Sequence, residues 1–123
     1  MSLATVLLIQ AVLFLAYGVG FVISPQAVLS LYGKTLEPLG VVMCRYLGAT
    51  LIGMGLTCLL ARGAAAGDLL NSVILAFFIA DAIAFLVSLT GQFGALDSPL
   101  HWVNVTLWLL LTLGLGYFRF LWL

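Results

Sequence analysis

Four long apolar stretches, separated by short polar turns, occupy most of this chain. They cover residues 3–23, 39–60, 69–90 and 100–117. A hydrocarbon core about 30 Å thick is crossed by about 20 helical residues, so each stretch approaches or reaches spanning length. Lipid offers no hydrogen-bond partners, and the chain is too short for a closed barrel. We therefore expect each stretch to be a transmembrane helix.

The composition is typical of a membrane protein and argues against a soluble one. Apolar residues make up 65% of the chain and charged residues 7%, whereas an average globular domain is about 25% charged. The formal net charge is zero, so the chain lacks the basic surface that nucleic-acid binding requires. We expect one all-α membrane domain over residues 1–123, a bundle of four transmembrane helices in contact with membrane lipids and with no nucleic-acid partner.

The connection between the first two spans, SPQAVLSLYG, is typical of a short helix that lies on the membrane surface. Pro25 suits the first position of such a helix, and Gly33 suits its end. A two-turn segment with one apolar face favours the membrane interface, so we predict an interfacial helix over residues 25–32. Its apolar face would consist of Ala27, Val28, Leu31 and Tyr32.

Basic residues indicate the orientation of the spans. Side one of the membrane would hold both termini and the turn after the second span, with Arg62 and Arg119, whereas side two would hold Lys34 alone outside the spans. Because basic residues favour the cytoplasmic side, we expect both termini to be cytoplasmic.

Two charged residues fall inside the spans, Arg45 in the second and Asp81 in the third. Counted along the helices, Arg45 lies about 10 Å and Asp81 about 12 Å from side two. A charge inside a membrane is costly and usually faces the bundle interior with a partner. We therefore predict an Arg45–Asp81 ion pair between neighbouring antiparallel helices, with Gly48 and Ala49 providing the clearance for the third span.

Other polar side chains reach the same, non-cytoplasmic half of the membrane. Tyr17 lies about 9 Å from the side-two end of the first span, and His101 and Asn104 open the fourth span from that side. Together with Arg45 and Asp81 they form a predicted polar cluster. Separate alternatives stand beside this interpretation. Arg45 snorkels to the interface instead of pairing, or the ion pair forms and only locks the bundle. His101 is, on its alternative interpretation, an interfacial histidine.

Sequence motifs for catalysis are absent, and an enzyme is the less favoured function. The chain shows no phosphate-binding loop and no nucleophile elbow. Its single histidine and two cysteines, which lie about 21 Å apart along a helix, do not make a metal site, so we predict no metal and no cofactor.

Two functions remain. The first is an accessory or scaffold subunit of a larger membrane assembly, bound to other membrane-protein subunits or to a second copy. The alternative is a site for a quinone, a lipid or another amphiphile at Arg45 and Asp81, in the non-cytoplasmic half of the bundle.

The segments SPQAVLSLYG, LEPLG and CRYLGATLIGMGLTCLLAR resemble a pattern found in small bacterial four-span membrane proteins of unknown function, loosely related to the DoxX-like group. Pro25, Tyr32, Gly33, Arg45 and Gly48 match that pattern, which covers about the first half of the chain. The resemblance implies a four-helix bundle in a bacterial inner membrane. DoxX-like proteins include one associated with a terminal quinol oxidase, but no catalytic residue carries over to this chain.

The predicted ion pair is testable by exchanging its charges. Arg45→Asp and Asp81→Arg should each lower stability in detergent, because each leaves two like charges in a low-dielectric interior. The double exchange should recover a substantial part of that loss, measured as the midpoint of unfolding in sodium dodecyl sulfate. If the double variant is no more stable than either single variant, the pairing is wrong.

Overall fold

The computed structural model describes residues 2–65 and 67–122, and within that part all regular structure is helical. Helix α1 spans Leu3–Ile23, α2 Pro25–Leu31, α3 Pro38–Ala61, α4 Asp68–Gln92 and α5 His101–Gly116, and a π-helical segment continues α5 over Tyr117–Trp122. Among the described residues, four helices are long and apolar enough to cross a membrane: α1, α3, α4, and α5 with its extension to Leu121. The predicted all-α fold with four membrane-spanning helices and a short helix between the first two is confirmed.

Contacts divide the chain into two compact units. The first unit is Leu7–Arg62, which contains most of α1, all of α2 and all of α3. The second unit comprises the described residues of Met1–Val6 and Gly63–Leu123, with α4 and α5. The single domain expected over residues 1–123 stays a prediction.

Glycines bring α1 and α3 into backbone contact in the first unit. A Cβ atom added at Gly18 would lie 2.8 Å from the backbone oxygen of Gly48, and one added at Gly48 would lie 2.7 Å from the backbone oxygen of Gly18. Small residues at such a crossing let two helix backbones approach closely, which is a principal source of helix packing in membranes. The atoms nearest to Gly48 all belong to α1, whereas Ala49 is exposed. The expectation that these two residues provide clearance for the third span is therefore corrected: Gly48 serves the contact with α1.

Helix α2 is held to the segment before α3 by one glutamine. Gln26 Nε2 donates to the backbone oxygen of Leu36 at 2.9 Å, and the backbone N–H of Leu36 donates to Gln26 Oε1 at 3.2 Å. Gly33 follows the helix with a φ of 71°, a conformation that favours glycine, as its predicted place at the helix end requires.

Helix α2 packs within its unit through residues that lie outside its predicted apolar face. Pro25 and Leu29 are buried, whereas Ala27 and Leu31 are exposed. Because α2 packs within its unit through Pro25 and Leu29, Leu31 remains on the outside, where an interfacial helix meets lipid.

Helix α4 runs two residues past the predicted end of the third span. Its C-terminal turn is closed from the following segment, where the backbone N–H of Leu96 donates to the oxygen of Gly91 at 2.8 Å. The side chain of the last helical residue, Gln92, is buried and bonded to the segment that leads into α5. Tertiary hydrogen bonds thus keep Gly91 and Gln92 helical, although the sequence there, TGQFG, is typical of a turn.

Two glycines of α3 provide a matched test of the helix contact. Gly48→Ala should destabilise the protein by about 1–3 kcal/mol, because its Cβ would overlap the α1 backbone. Gly53→Ala meets nothing within 4 Å and should be neutral or stabilising by about 0.5–1 kcal/mol through helix propensity. Unfolding in sodium dodecyl sulfate, followed by far-ultraviolet circular dichroism, measures both. If the two substitutions change stability equally, the α1–α3 backbone contact does not explain the need for glycine at position 48.

Candidate functional site

Helix α4 buries one face along its length, and the chemistry of that face changes partway. The buried positions follow one another at steps of three, four or seven residues: Leu70, Ile74, Phe77, Asp81, Ser88 and Gln92. The first three are apolar and the last three are polar. The C-terminal half of α4 therefore presents polar groups to the interior, where each is costly unless it is hydrogen-bonded.

Side chains of α4 and α5 form a hydrogen-bonded chain at that polar end of the second unit. Gln92 Nε2 donates to the backbone oxygen of Ser98 at 3.0 Å, and Gln92 Oε1 lies 2.9 Å from His101 Nδ1. Asn104 Nδ2 lies 3.2 Å from both His101 Nε2 and Ser88 Oγ. Gln92 and His101 are 6% and 2% exposed, so these bonds replace the water that the groups have lost. We call Ser88, Gln92, His101 and Asn104 the hairpin network.

The order of donors in the hairpin network assigns the tautomer of His101. Because the Ser98 carbonyl can only accept, Gln92 turns its amide N–H toward Ser98 and its oxygen toward His101, so His101 Nδ1 carries the hydrogen. His101 Nε2 then accepts from Asn104, whose second amide hydrogen goes to Ser88. A neutral imidazole satisfies every one of these bonds, and both ring nitrogens are engaged by side chains of the protein itself.

Within the second unit, hydrogen bonds connect two residues of the predicted polar cluster. His101 and Asn104 contact each other, as their shared position at the start of the fourth span suggested. Gln92 was missed as a member because residues 91–99 were taken as a connecting loop, and Ser88 was assigned to the face of Asp81 without being joined to His101 and Asn104. The signal that could have found them is spacing, since Ser88 and Gln92 lie seven and eleven residues after Asp81 on one face of α4.

Arg45 and Asp81 lie in different surroundings. Asp81, in the second unit, is fully buried at 0% exposure. Arg45, in the first unit, has an exposed side chain. The Arg45–Asp81 ion pair stays a prediction.

Tyr17 belongs to an aromatic group of the first unit that the sequence did not suggest. Its hydroxyl lies 3.5 Å from the hydroxyl of Tyr32, and its ring stacks on Phe21 with centroids 6.3 Å apart. Burial, and after it the hydrogen bond with Tyr17, raises the pKa of Tyr32 well above its usual range. Tyr17 therefore connects α1 to the end of α2.

An exposed face of α3 carries small and polar side chains at membrane depth. We call Arg45, Tyr46, Ala49, Thr50, Gly53 and Thr57 the α3 outer face; Val42, Leu56 and Leu60 are exposed beside them. Thr50 Oγ1 donates to the backbone oxygen of Tyr46 at 3.0 Å, and Thr57 Oγ1 donates to that of Gly53 at 2.8 Å. A Cβ added at Gly53 would meet nothing within 4 Å. The face is therefore low at Gly53, and the hydroxyls of Thr50 and Thr57 are already satisfied.

The exposed faces of α4 and α5 are different in kind. At membrane depth they carry mainly large aliphatic side chains, among them Ile79, Ile83, Leu86 and Val87 on α4 and Val103, Leu109, Leu110 and Leu113 on α5. Such residues are typical of surfaces that meet lipid tails. The α3 outer face differs in carrying Ala49, Gly53 and Thr57 between exposed apolar side chains such as Leu56 and Leu60.

Comparisons with protein-family models, with curated proteins and with solved structures find no match to this chain. The DoxX-like resemblance therefore stays a prediction that rests on the residues of the first half. In the part of the chain that the structure describes, no three His, Cys, Asp or Glu side chains group as metal ligands.

The hairpin network should contribute to the stability of the second unit. Gln92→Leu removes the Gln92 partner of the His101 Nδ1–H and one of two donors to the Ser98 carbonyl, which keeps the backbone N–H of His101 at 3.0 Å. A buried polar group that loses its hydrogen bond costs about 1–3 kcal/mol. Thr106→Val, an exposed substitution on α5, should change stability by less than about 0.5 kcal/mol. Detergent unfolding measures the difference, and faster amide hydrogen exchange over residues 93–100 should accompany it in Gln92→Leu alone. Equal stability of the two variants would contradict a stabilising role for the network.

Proposed function

We propose that this protein is a non-enzymatic membrane subunit that packs, through the α3 outer face, against a transmembrane helix of another membrane protein. It would act as an accessory or scaffold component of a larger membrane assembly. The observation that supports this proposal is the exposure of Ala49, Gly53 and Thr57, spaced four residues apart on one face of α3.

Small residues at this spacing are typical of contacts between transmembrane helices. Lipid tails are as apolar as leucine, so helices associate in membranes through close van der Waals packing, which small side chains permit. A glycine inside a helix costs about 1 kcal/mol relative to alanine, and contact with a lipid tail does not offset that cost. Gly48 offsets it by packing on α1, and Gly53 would do so by packing on a partner.

Arg45 strengthens the case for a protein partner. It lies seven residues after Pro38, the first residue of α3, and therefore about 10 Å below the start of the helix. An exposed guanidinium at that depth is costly in lipid. A partner helix that covers the α3 outer face would shield it and supply hydrogen-bond acceptors.

The proposed orientation places this face in a defined leaflet. If both termini are cytoplasmic, as the basic residues favour, Arg45 lies in the non-cytoplasmic half of a bacterial inner membrane. The amphiphile hypothesis differs in what Arg45 would bind, a lipid or quinone head rather than a protein helix.

A pair of small-to-large substitutions tests the proposal. Gly53→Leu would hold a partner helix away from α3, whereas Ala76→Leu adds similar bulk at an exposed position of α4. Native membranes are extracted with a mild detergent, and the protein is resolved by native gel electrophoresis. We expect the wild-type chain and Ala76→Leu to migrate in a complex much larger than the 13.1 kDa chain, and Gly53→Leu to migrate at the position of the monomer.

Helix content and the unfolding midpoint of purified Gly53→Leu provide the control, since Gly53 is exposed and a Cβ added there meets no atom within 4 Å. A wild-type chain that migrates alone, or a complex that survives Gly53→Leu, would refute the proposal.

A further inference from the structure

We infer that the partner helix carries an aspartate or glutamate at the level of Arg45 and crosses α3 in the right-handed sense. This inference rests on the proposed function and names the chemistry of its partner. Three features of the α3 outer face support it: the spacing of its small residues, the saturation of its hydroxyls and the exposure of its one charge.

The spacing indicates the crossing geometry. Arg45, Ala49, Gly53 and Thr57 recur every four residues, so they form one row along α3, all of it exposed. Rows of this kind are inclined by about −26° to the helix axis, and two such rows interdigitate at right-handed crossings of about −40° to −50°. The row from Arg45 to Thr57 is about 18 Å long, enough for several turns of contact with one helix.

The hydrogen bonds indicate where the partner needs polarity. Thr50 and Thr57 donate to the backbone of α3 itself, so they require no polar group from a partner. Arg45 has five N–H donors and stays charged in any environment that a protein provides. Once a helix covers it, the guanidinium must be paired, because an uncompensated buried charge is strongly destabilising. A carboxylate fits best, since it accepts two parallel N–H bonds from the guanidinium.

Two other occupants fit the face less well. A second, parallel copy of α3 packed through the same row would bring two Arg45 side chains together, and their like charges would repel. An anionic lipid phosphate could accept from Arg45, but Gly53 and Thr57 lie about 12 and 18 Å further along the helix, away from the headgroups. A lipid would thus leave the small residues of the row without a role.

A pair of synthetic transmembrane peptides tests the carboxylate. Each is a leucine–alanine helix with glycine at every fourth position of one face. One carries a glutamate about 10 Å below the end that pairs with the start of α3, and the other carries glutamine there. Fluorescence energy transfer measures their binding, at neutral pH, to the full-length protein in phosphatidylcholine vesicles.

We expect the glutamate peptide to bind about fivefold to tenfold more tightly than the glutamine peptide, in the range of intramembrane polar contacts. Arg45→Gln should abolish that difference but leave binding of the glutamine peptide unchanged. Gly53→Leu should weaken both peptides equally.

The outcomes separate the inference from the proposed function. Equal binding of the two peptides by the wild-type protein overturns the carboxylate, while sensitivity of both to Gly53→Leu still supports the α3 outer face as a docking surface. Binding of neither peptide overturns the inference. It is also overturned if phosphatidylglycerol displaces the glutamate peptide from the wild-type protein but not from Arg45→Gln, which identifies a lipid headgroup as the ligand. Self-association of the wild-type protein that excludes both peptides identifies a second copy instead.

Discussion

Hydrocarbon offers a peptide group or a polar side chain no hydrogen-bond partner, and most features of this structure follow from that constraint. It accounts for the helices, which satisfy their own backbones. It also accounts for the threonines of α3, since Thr50 and Thr57 donate back to their own helix. The same constraint organises the second unit, where the hairpin network satisfies the amide of Gln92 and both ring nitrogens of His101 with neighbouring groups. In the hairpin network and at the threonines of α3, the protein itself supplies the hydrogen-bond partners.

Helix α3 contains two glycines, Gly48 and Gly53, whose surroundings differ. Gly48 lies against the backbone of α1, and an added methyl group would collide there. Gly53 lies on the exposed side, and an added methyl group would meet no atom of the chain within 4 Å. Since close packing is the main attraction between helices in lipid, the first glycine explains how this unit holds together. The second is unexplained by the chain alone, and a partner helix explains it.

Arg45 is the residue on which the functional interpretation depends. Depth along the helices suggested Asp81 as its partner, and the charge exchange tests that pairing. The exposure of Arg45 favours a partner outside the chain, whereas the complete burial of Asp81 favours a role inside it. A carboxylate on another membrane protein would satisfy Arg45 and make use of the small residues beside it, and this is why we propose a subunit rather than an isolated protein.

The sequence by itself determined the fold class, the number of spans and the short helix between the first two. These depend on the length of each apolar stretch and on Pro25 and Gly33, which act locally. It also placed His101 and Asn104 at the start of the fourth span, where the structure joins them in the hairpin network. Only the tertiary structure decided that Gln92 stays helical and bonds to His101, that Gly48 faces α1, and that Gly53 faces outward. The physical reason is that the rotation and crossing of a helix decide which of its residues meet a neighbour. Both depend on packing between segments that are distant in sequence, and local composition does not specify them.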